Sequence, residues 1–299
     1  MVALIQPPDT TGQLAAGQDA LWQASLSLRY SVEQQRTVLR HQHSGPLRVL
    51  KSLYPEGDPI CHNVLVHPPS GLVGGDHLNI QVHLQERSHA IITTPGATRF
   101  YGAKALEAHQ KVRAHVSDHA KLEWLPMEAL AYNGSYGVNQ AVFRLEEHAS
   151  LIAWDVTQLG LPQAQQPFTQ GIFQQHLEIE GVWLDKARLD ALDHRLLNSP
   201  VGLGGHRCIS SLIFAQGHAW PTHCKVRALE GIRGLIAQMK PEGSTHLVAA
   251  VTAVHPQVVV LRVLSDLVEP SMQLLKAAWG LLRRDLWGLS HTPPRIWSS

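Results

Sequence analysis

Regular alternation of apolar and polar residues is the feature that most limits what this chain can fold into. In LNIQVHL, residues 78–84, every second residue is apolar and the residues between them are polar. A period of two is typical of a β-strand with one buried face. Similar runs follow, separated by Gly, Pro, Asn and Asp: KVRAHV (111–116), SLIAWDV (150–156), QQHLEIE (174–180), HLVAAVTAV (246–254) and VVVLRVL (258–264). The pattern predicts a mainly β fold.

Two segments toward the C-terminus depart from this pattern and have the apolar spacing of amphipathic helices. They are CKVRALEGIRGLIAQMK, residues 224–240, and PSMQLLKAAWGLLRRDLWG, residues 270–288. Pro241 should end the first helix, while Pro270 suits the first turn of the second and Gly288 its end. The predicted order is therefore many strands, one helix, two strands and one helix, without a visible internal repeat or a linker that divides the chain.

The charge balance and the N-terminal segment limit the partners and the location of the chain. Its 299 residues contain 25 basic and 24 acidic residues, and this balance argues against a nucleic-acid binder or a polybasic membrane anchor. The first residues lack a signal-peptide pattern, and no stretch has the ~18 apolar residues of a membrane helix. We expect residues 1–20 to be a flexible leader and residues 21–299 a single domain, without a nucleic-acid or membrane partner.

Cysteine and histidine residues of this chain are candidate metal ligands. Cys61, Cys208 and Cys224 are far apart and form no CxxC pair, which suits a reducing cytosol and predicts a cytoplasmic protein. Two short clusters, Cys61-His62 and His206 with Cys208, combine the nitrogen and sulfur ligands of transition metals. The alternative is that these residues are ordinary buried or packed side chains.

Common catalytic signatures are absent from the sequence. It contains no GxxxxGK[ST], no GxSxG and no HExxH, and GLGGHR at residues 202–207 does not complete a dinucleotide-binding fingerprint. These absences count against hydrolases and nucleotide-dependent enzymes.

Three carboxylates lie in unusual contexts. Asp155 lies in the apolar strand SLIAWDV, Glu178 lies opposite Leu177 and Ile179, and Asp76 follows the turn-rich stretch HPPSGLVGG. A carboxylate on an apolar strand costs free energy unless it is solvated, paired or bound to a cation. Either these strands have a wet polar face, or the three carboxylates line one hydrated path that passes a divalent cation.

Six segments, in this order, resemble the urease accessory protein family UreD, called UreH in some systems. They begin with LWQASLSLRY and GPLRVLKSLYPEGDPICHNVLVHPPSGLVGGDHL and continue through TTPGATRFYGA, LEWLPMEAL and LIAWDVTQLGLP. The sixth is the C-terminal segment that runs from AAWGLLRRDLWG to PPRIW. The resemblance covers nearly the whole chain from Trp22. It implies a fold of strands stacked in a β-helix-like scaffold with two helices, and a nickel-insertion chaperone rather than an enzyme.

The resemblance also implies partners and site residues. Members bind apo-urease and the accessory protein UreF, and through UreF the GTPase UreG; nickel passes transiently through a tunnel, with no tightly bound cofactor. The implied nickel path comprises Asp76, Thr98, Asp155 and Glu178. The implied partner-facing surface comprises Trp279, Arg284, Arg295 and Trp297.

Two other functions are compatible with the sequence. The chain could be a scaffold through which nickel never passes, or a metal-dependent enzyme that uses Asp76, Asp155 and histidines. Asp76 itself has two interpretations, because it either belongs to the nickel path or braces the turn before the strand.

Overall fold

The computed structural model describes residues 22–102, 106–239 and 246–298. The predicted leader, residues 1–20, lies outside the described residues. The described strands are β1 (Gln23–Glu33), β2 (Arg36–Ser44), β3 (Arg48–Val49), β4 (Ile60–Val66), β5 (His77–Leu84), β6 (His89–Thr93), β7 (Thr98–Phe100), β8 (Ala108–Val116), β9 (Lys121–Leu125), β10 (Ala129–Ala131), β11 (Ser135–Leu145), β12 (Ser150–Leu159), β13 (Gly171–Ile179), β14 (Trp183–Asp190), β15 (Cys208–Gln216), β16 (Leu247–His255) and β17 (Val258–Ser265). The helices are α1 (His194–Asn198), α2 (Thr222–Met239) and α3 (Val268–Trp287), with 3₁₀ turns at Pro162–Ala164 and Arg295–Ser298.

Successive strands alternate between two sheets and so wind the chain into coils. The seven-stranded sheet has the order β14-β13-β11-β8-β5-β1-β2, and the larger sheet runs β16-β17-β15-β12-β9-β6-β4-β3. Neighbours from successive coils, such as β5 and β8 in one sheet and β6 and β9 in the other, pair in parallel. The prediction of a mainly β, coiled scaffold is confirmed.

The coils differ in length, which explains why no fixed repeat is visible in the sequence. Equivalent strands of the seven-stranded sheet begin at His77, Ala108, Ser135 and Gly171, and these starting points are unevenly spaced. The coils therefore repeat in the pairing of their strands, but the number of residues per coil varies.

Antiparallel or very short strands occupy the ends of both sheets. β2 and β14 are the two edges of the seven-stranded sheet, and each pairs antiparallel with its neighbour. In the larger sheet, β15, β17 and β16, in that spatial order, extend the parallel part with antiparallel pairs. The opposite edge is the two-residue strand β3.

Alternation along each strand sorts the apolar residues into two cores. Leu151 and Ala153 of β12 face the seven-stranded sheet and join the core between the sheets. Ile152, Trp154 and Val156 point the other way, into a core formed with α2 and α3. The larger sheet is thus covered on both faces, and its central strands are almost completely buried.

The two long helices lie where the sequence predicts them. α2 ends at Met239, and Gly288 caps α3 with φ +66°, a conformation that glycine adopts without steric strain. Strands β16 and β17 separate the helices as expected. The short helix α1, whose N-terminus is capped by the side chain of Asp193, was not predicted because one turn carries no periodic signal.

A buried charge network ties α3 to the larger sheet. Arg283 of α3 is completely buried, and its Nη2 donates to both carboxylate oxygens of Glu56, at 3.0 and 2.9 Å. Its Nε lies 3.2 Å from Oε2 of Glu123, a buried residue of β9 that also accepts from the Trp279 indole. His89 Nε2 lies 2.6 Å from the other oxygen of Glu123, and burial lowers the pKa of His89 despite this contact. Every charge in the network therefore has a partner.

We expect Arg283→Met to lower the free energy of unfolding by about 3–5 kcal/mol, because it leaves two buried carboxylates without their cation. Arg284→Met is the matched control: Arg284 is exposed, so its loss should change stability by less than about 0.5 kcal/mol. Urea unfolding followed by tryptophan fluorescence measures both. Equal effects of the two substitutions would contradict the role given to Arg283.

Candidate functional site

Asp155 lies in the layer between the two sheets. The sequence alternation places it on the same face of β12 as Leu151 and Ala153, and in the structure this face points inward. Asn139 Nδ2 lies 3.4 Å from both of its carboxylate oxygens. The half-buried carboxylate therefore faces amide groups rather than a basic side chain.

Three amide side chains line up opposite Asp155 across the seven-stranded sheet. Gln110, Asn139 and Gln175 belong to neighbouring parallel strands and occupy the same register. Gln110 Nε2 donates to Asn139 Oδ1 at 3.1 Å, and Gln175 Nε2 donates to Thr157 Oγ1 at 2.8 Å. These residues form a polar ladder inside an otherwise apolar layer. Sequence reasoning missed them, because their common register spans coils of unequal length.

The environment of Asp155 favours its protonated form. Burial raises the pKa of Asp155 to about 7, and the negative charge of Asp185 adds to this rise. Hydrogen bonds from Thr157, Gln175 and Asn139 oppose it. A carboxyl group with a pKa near 7 can exchange a proton for a metal ion at neutral pH.

Two adjoining cavities give access to this layer. The smaller cavity, of about 20 Å³, has room for about one water molecule and is lined by Asp155, Asn139 and Gln110 among others. The larger one, of about 290 Å³, is lined by His67, Thr94 and Arg99 among others and has room for several water molecules. The two cavities share a wall, and four residues contribute to it: Thr98, Gln110, Trp124 and Pro126.

Thr98 therefore lies between the larger cavity and the site of Asp155. It begins β7, and its backbone N–H donates to the carbonyl of Glu128 at 2.9 Å. The structure brings Thr98 and Asp155 together around the smaller cavity.

Asp76 is held in the turn that precedes β5. Its Oδ2 accepts the backbone N–H of Val73 at 2.9 Å, and the preceding Gly75 has φ +93°. This geometry is that of a turn brace. Asp76 does not line either cavity, but its charge opposes the lowering of the pKa of His67 by burial, and His67 lines the larger cavity. Asp76 therefore lies within electrostatic reach of the cavity.

Glu178 lies on the other face of the seven-stranded sheet. Leu177 and Ile179 point into the core between the sheets, so Glu178 points outward. There its Oε2 lies 2.6 Å from Nε2 of His176. The structure does not bring Glu178 together with Thr98 and Asp155.

The sulfur and nitrogen candidates do not converge. Cys61 faces the core between the sheets, whereas the neighbouring His62 faces the opposite side and lies 2.9 Å from Glu56. His206 Nδ1 lies 2.7 Å from Asp266, and Cys208 is a buried thiol whose pKa is raised by burial. Among the described residues, neither pair belongs to a group of three potential ligands.

Of the four residues of the predicted partner surface, two pack against this chain and two are exposed. Trp279 is completely buried, which corrects the prediction that it faces a partner: its ring packs under α3 and its indole donates to Glu123. Trp297 docks on this chain, where its Nε1 donates to Thr93 Oγ1 at 2.9 Å. Arg284 and Arg295 are exposed.

The described residues define a class of protein in which a coiled β-scaffold, sealed by a C-terminal helix, surrounds a small polar interior. The family model described as "UreD urease accessory protein" matches residues 23–298. The chain therefore belongs to the UreD family of urease accessory proteins.

Similar proteins agree with this assignment over nearly their whole length. The chain is 52% identical over 277 residues to the urease accessory protein UreD of Albidiferax ferrireducens, covering 93% of this chain and 99% of that protein. It is 49% identical to the UreD of Variovorax paradoxus over 278 residues, with the same coverage, and 44% identical to that of Leptothrix cholodnii, covering 92% and 99%.

Family membership confirms two sequence-based predictions. The chain has an accessory role in urease maturation, and it is not an enzyme. In the part of the chain that the structure describes, none of the helices is both long and apolar enough to cross a membrane.

The raised pKa of Asp155 predicts a pH dependence of stability. In the folded protein the carboxyl group keeps its proton up to about pH 7, whereas the unfolded chain releases it near its ordinary pKa of 3.8. Between these values the unfolded state binds fewer protons, so this group makes the free energy of unfolding fall as pH rises. Relative to Asp155→Asn, the wild type should lose about 2–4 kcal/mol between pH 4 and pH 7.5. Urea unfolding of both proteins measures this difference, and parallel pH profiles would refute it.

Proposed function

We propose that this chain is a conduit for Ni²⁺ during urease maturation, with the path running through the larger cavity, past Thr98, to Asp155. The observation that supports this best is the carboxyl group of Asp155, which faces the smaller of two adjoining cavities inside the scaffold. Nickel is the cargo of this path and not a resident cofactor.

The side chains of the path suit transfer better than storage. Near neutral pH the carboxyl group of Asp155 exchanges its proton for the cation and takes a proton back when the cation leaves. The hydroxyl of Thr98 and the amide oxygens of the ladder are weak, neutral ligands. One carboxylate among neutral oxygens binds a borderline cation far less firmly than a set of imidazoles or thiolates does, so the ion is not trapped.

The proposed roles of Asp76 and Glu178 differ. Asp76 is a brace of the turn beside the larger cavity, and its charge attracts a cation toward that cavity without binding it. Glu178 lies outside the path that we propose, because it points away from the layer between the sheets.

We further propose that the chain bridges the accessory protein UreF, with the GTPase UreG bound to it, and apo-urease. The exposed guanidinium groups of Arg284 and Arg295 are the part of the predicted partner surface that remains available. Trp279 and Trp297 act indirectly, since they hold α3 and the C-terminal turn in place.

A scaffold without nickel passage is the second candidate function. The larger sheet is covered on both faces, and α3 packs against one of them; this architecture is compatible with a pure scaffold. The two candidates differ in one respect: in a pure scaffold, the charge of Asp155 has no bearing on how much nickel reaches urease.

The test replaces Asp155 by Ala and by Asn in cells that co-express urease and its accessory proteins. We expect both variants to be recovered in complex with partners, while nickel per purified urease falls at least ~10-fold, as expected when an essential ligand is lost. Glu178→Gln is the matched control, because it removes a carboxylate on the outer face and should leave nickel delivery intact. Normal urease activation by Asp155→Asn would favour the scaffold.

A second experiment addresses the partner surface. Arg284→Glu and Arg295→Glu reverse charge at exposed positions and should reduce co-purification of UreF while leaving the thermal unfolding of the isolated chain unchanged. Arg40→Glu on the edge strand β2, which is also exposed, is the control. Undiminished recovery of UreF with both Arg284→Glu and Arg295→Glu would exclude this surface.

A further inference from the structure

Turns from consecutive coils bring three potential metal ligands together on the surface. Asp118 and His119 belong to the turn between β8 and β9, and His148 belongs to the next turn of the stack, between β11 and β12. One ligand atom from each residue lies within 4.8 Å of the other two. Among the described residues this is the one group of three that meets such a distance limit.

The spacing of these atoms matches that of ligands around one ion. Nδ1 of His148 lies 2.9 Å from Oδ1 of Asp118, and Nε2 of His119 lies 3.4 Å from Oδ2. Two ligand atoms bound at 2.0–2.1 Å to a tetrahedral or octahedral ion are about 2.8–3.4 Å apart. Each imidazole therefore lies at ligand spacing from one oxygen of the Asp118 carboxylate.

The backbone holds the two turns in this arrangement. Asp118 Oδ1 also accepts the backbone N–H of His148 at 2.8 Å, and Glu146 accepts the backbone N–H of Asp118 at 2.8 Å. His119 has φ +58°, a left-handed conformation, and its imidazole stacks on that of His148 with centroids 4.7 Å apart. These contacts fix the ligands before an ion arrives.

A third imidazole lies beside the group. The ring centroid of His218, just after β15, is 5.6 Å from that of His148. Its Nδ1 donates to the carbonyl oxygen of Glu147 at 2.8 Å, which leaves Nε2 outside this hydrogen bond. His218 lies beside the group of three ligands without belonging to it.

We propose that Asp118, His119 and His148 form a surface site for a borderline divalent transition-metal ion such as Ni²⁺ or Zn²⁺. Two imidazoles and one carboxylate suit such ions, whereas Ca²⁺ and Mg²⁺ prefer oxygen ligands alone.

This site is separate from the proposed nickel path. His148 precedes the first residue of β12, and Asp155 lies five residues beyond Ser150, about 17 Å along the strand. The surface site can therefore be present whether or not nickel passes Asp155.

The test titrates nickel chloride into the full-length protein by equilibrium dialysis, followed by metal analysis. The double variant His119→Asn/His148→Gln should lose about one bound Ni²⁺ per chain, or bind it at least ~10-fold more weakly than the wild type. Asparagine is chosen at position 119 because it tolerates positive φ. Should the double variant fail to fold, the single variant His148→Gln carries the same expectation.

Two controls separate this site from other nickel binding. His41→Gln/His43→Gln removes another exposed histidine pair, whose rings are 6.4 Å apart, and should leave binding unchanged. Asp155→Asn should also retain the surface ion. Undiminished binding by the double variant, or equal losses in the double variant and the His41/His43 control, would overturn the proposal.

Discussion

The guanidinium group of Arg283 is the point on which the rest of the architecture depends. It is completely buried and lies between Glu123, in the middle of the larger sheet, and Glu56, in the loop before β4. A buried carboxylate that stays ionised needs a cation or hydrogen-bond donors to offset its loss of solvation. Because α3 supplies that cation, the ion pairs of Arg283 join the C-terminal helix to the coils.

The same rule explains how the layer between the sheets tolerates polar residues. Gln110, Asn139 and Gln175 occupy one register on three parallel strands, so each amide has a neighbour of its own kind, and Asp155 faces them from the other sheet. Parallel coils make such a ladder possible, since one polar residue per coil is enough to build it. The ladder ends at β5, where Leu78 takes the position next to Gln110.

Much of the fold could be predicted from local pattern. Period-two alternation predicts the strands and separates their two faces: Asp155 shares a face with Leu151 and Ala153, and Glu178 lies opposite Leu177 and Ile179. The structure shows that Asp155 points inward and Glu178 outward. The placement of Glu178 on a path with Asp155 therefore conflicted with its own strand pattern. The amide ladder could not be predicted, because coils of unequal length hide the register that aligns its members.

Helix α3 shows a different limit of sequence reasoning: an apolar stripe alone does not reveal what covers it. Trp279 falls on the apolar stripe of α3, and that stripe is consistent with either a buried face or a partner-binding face. What decides between them is Glu123 on a distant strand, which binds both the Trp279 indole and the Arg283 guanidinium. A buried carboxylate in LEWL is the signal that could have revealed this, by the same reasoning that drew attention to Asp155.

The reversed strands at the ends of the coil have a consequence for how copies of this chain coexist. A parallel edge would offer an incoming copy the same register that joins one coil to the next, and repeated addition would give a fibre. β2 and β14 run against their neighbours, and β2 is mostly exposed and carries Arg36 and Arg40. Charged, reversed edges disfavour such end-to-end growth.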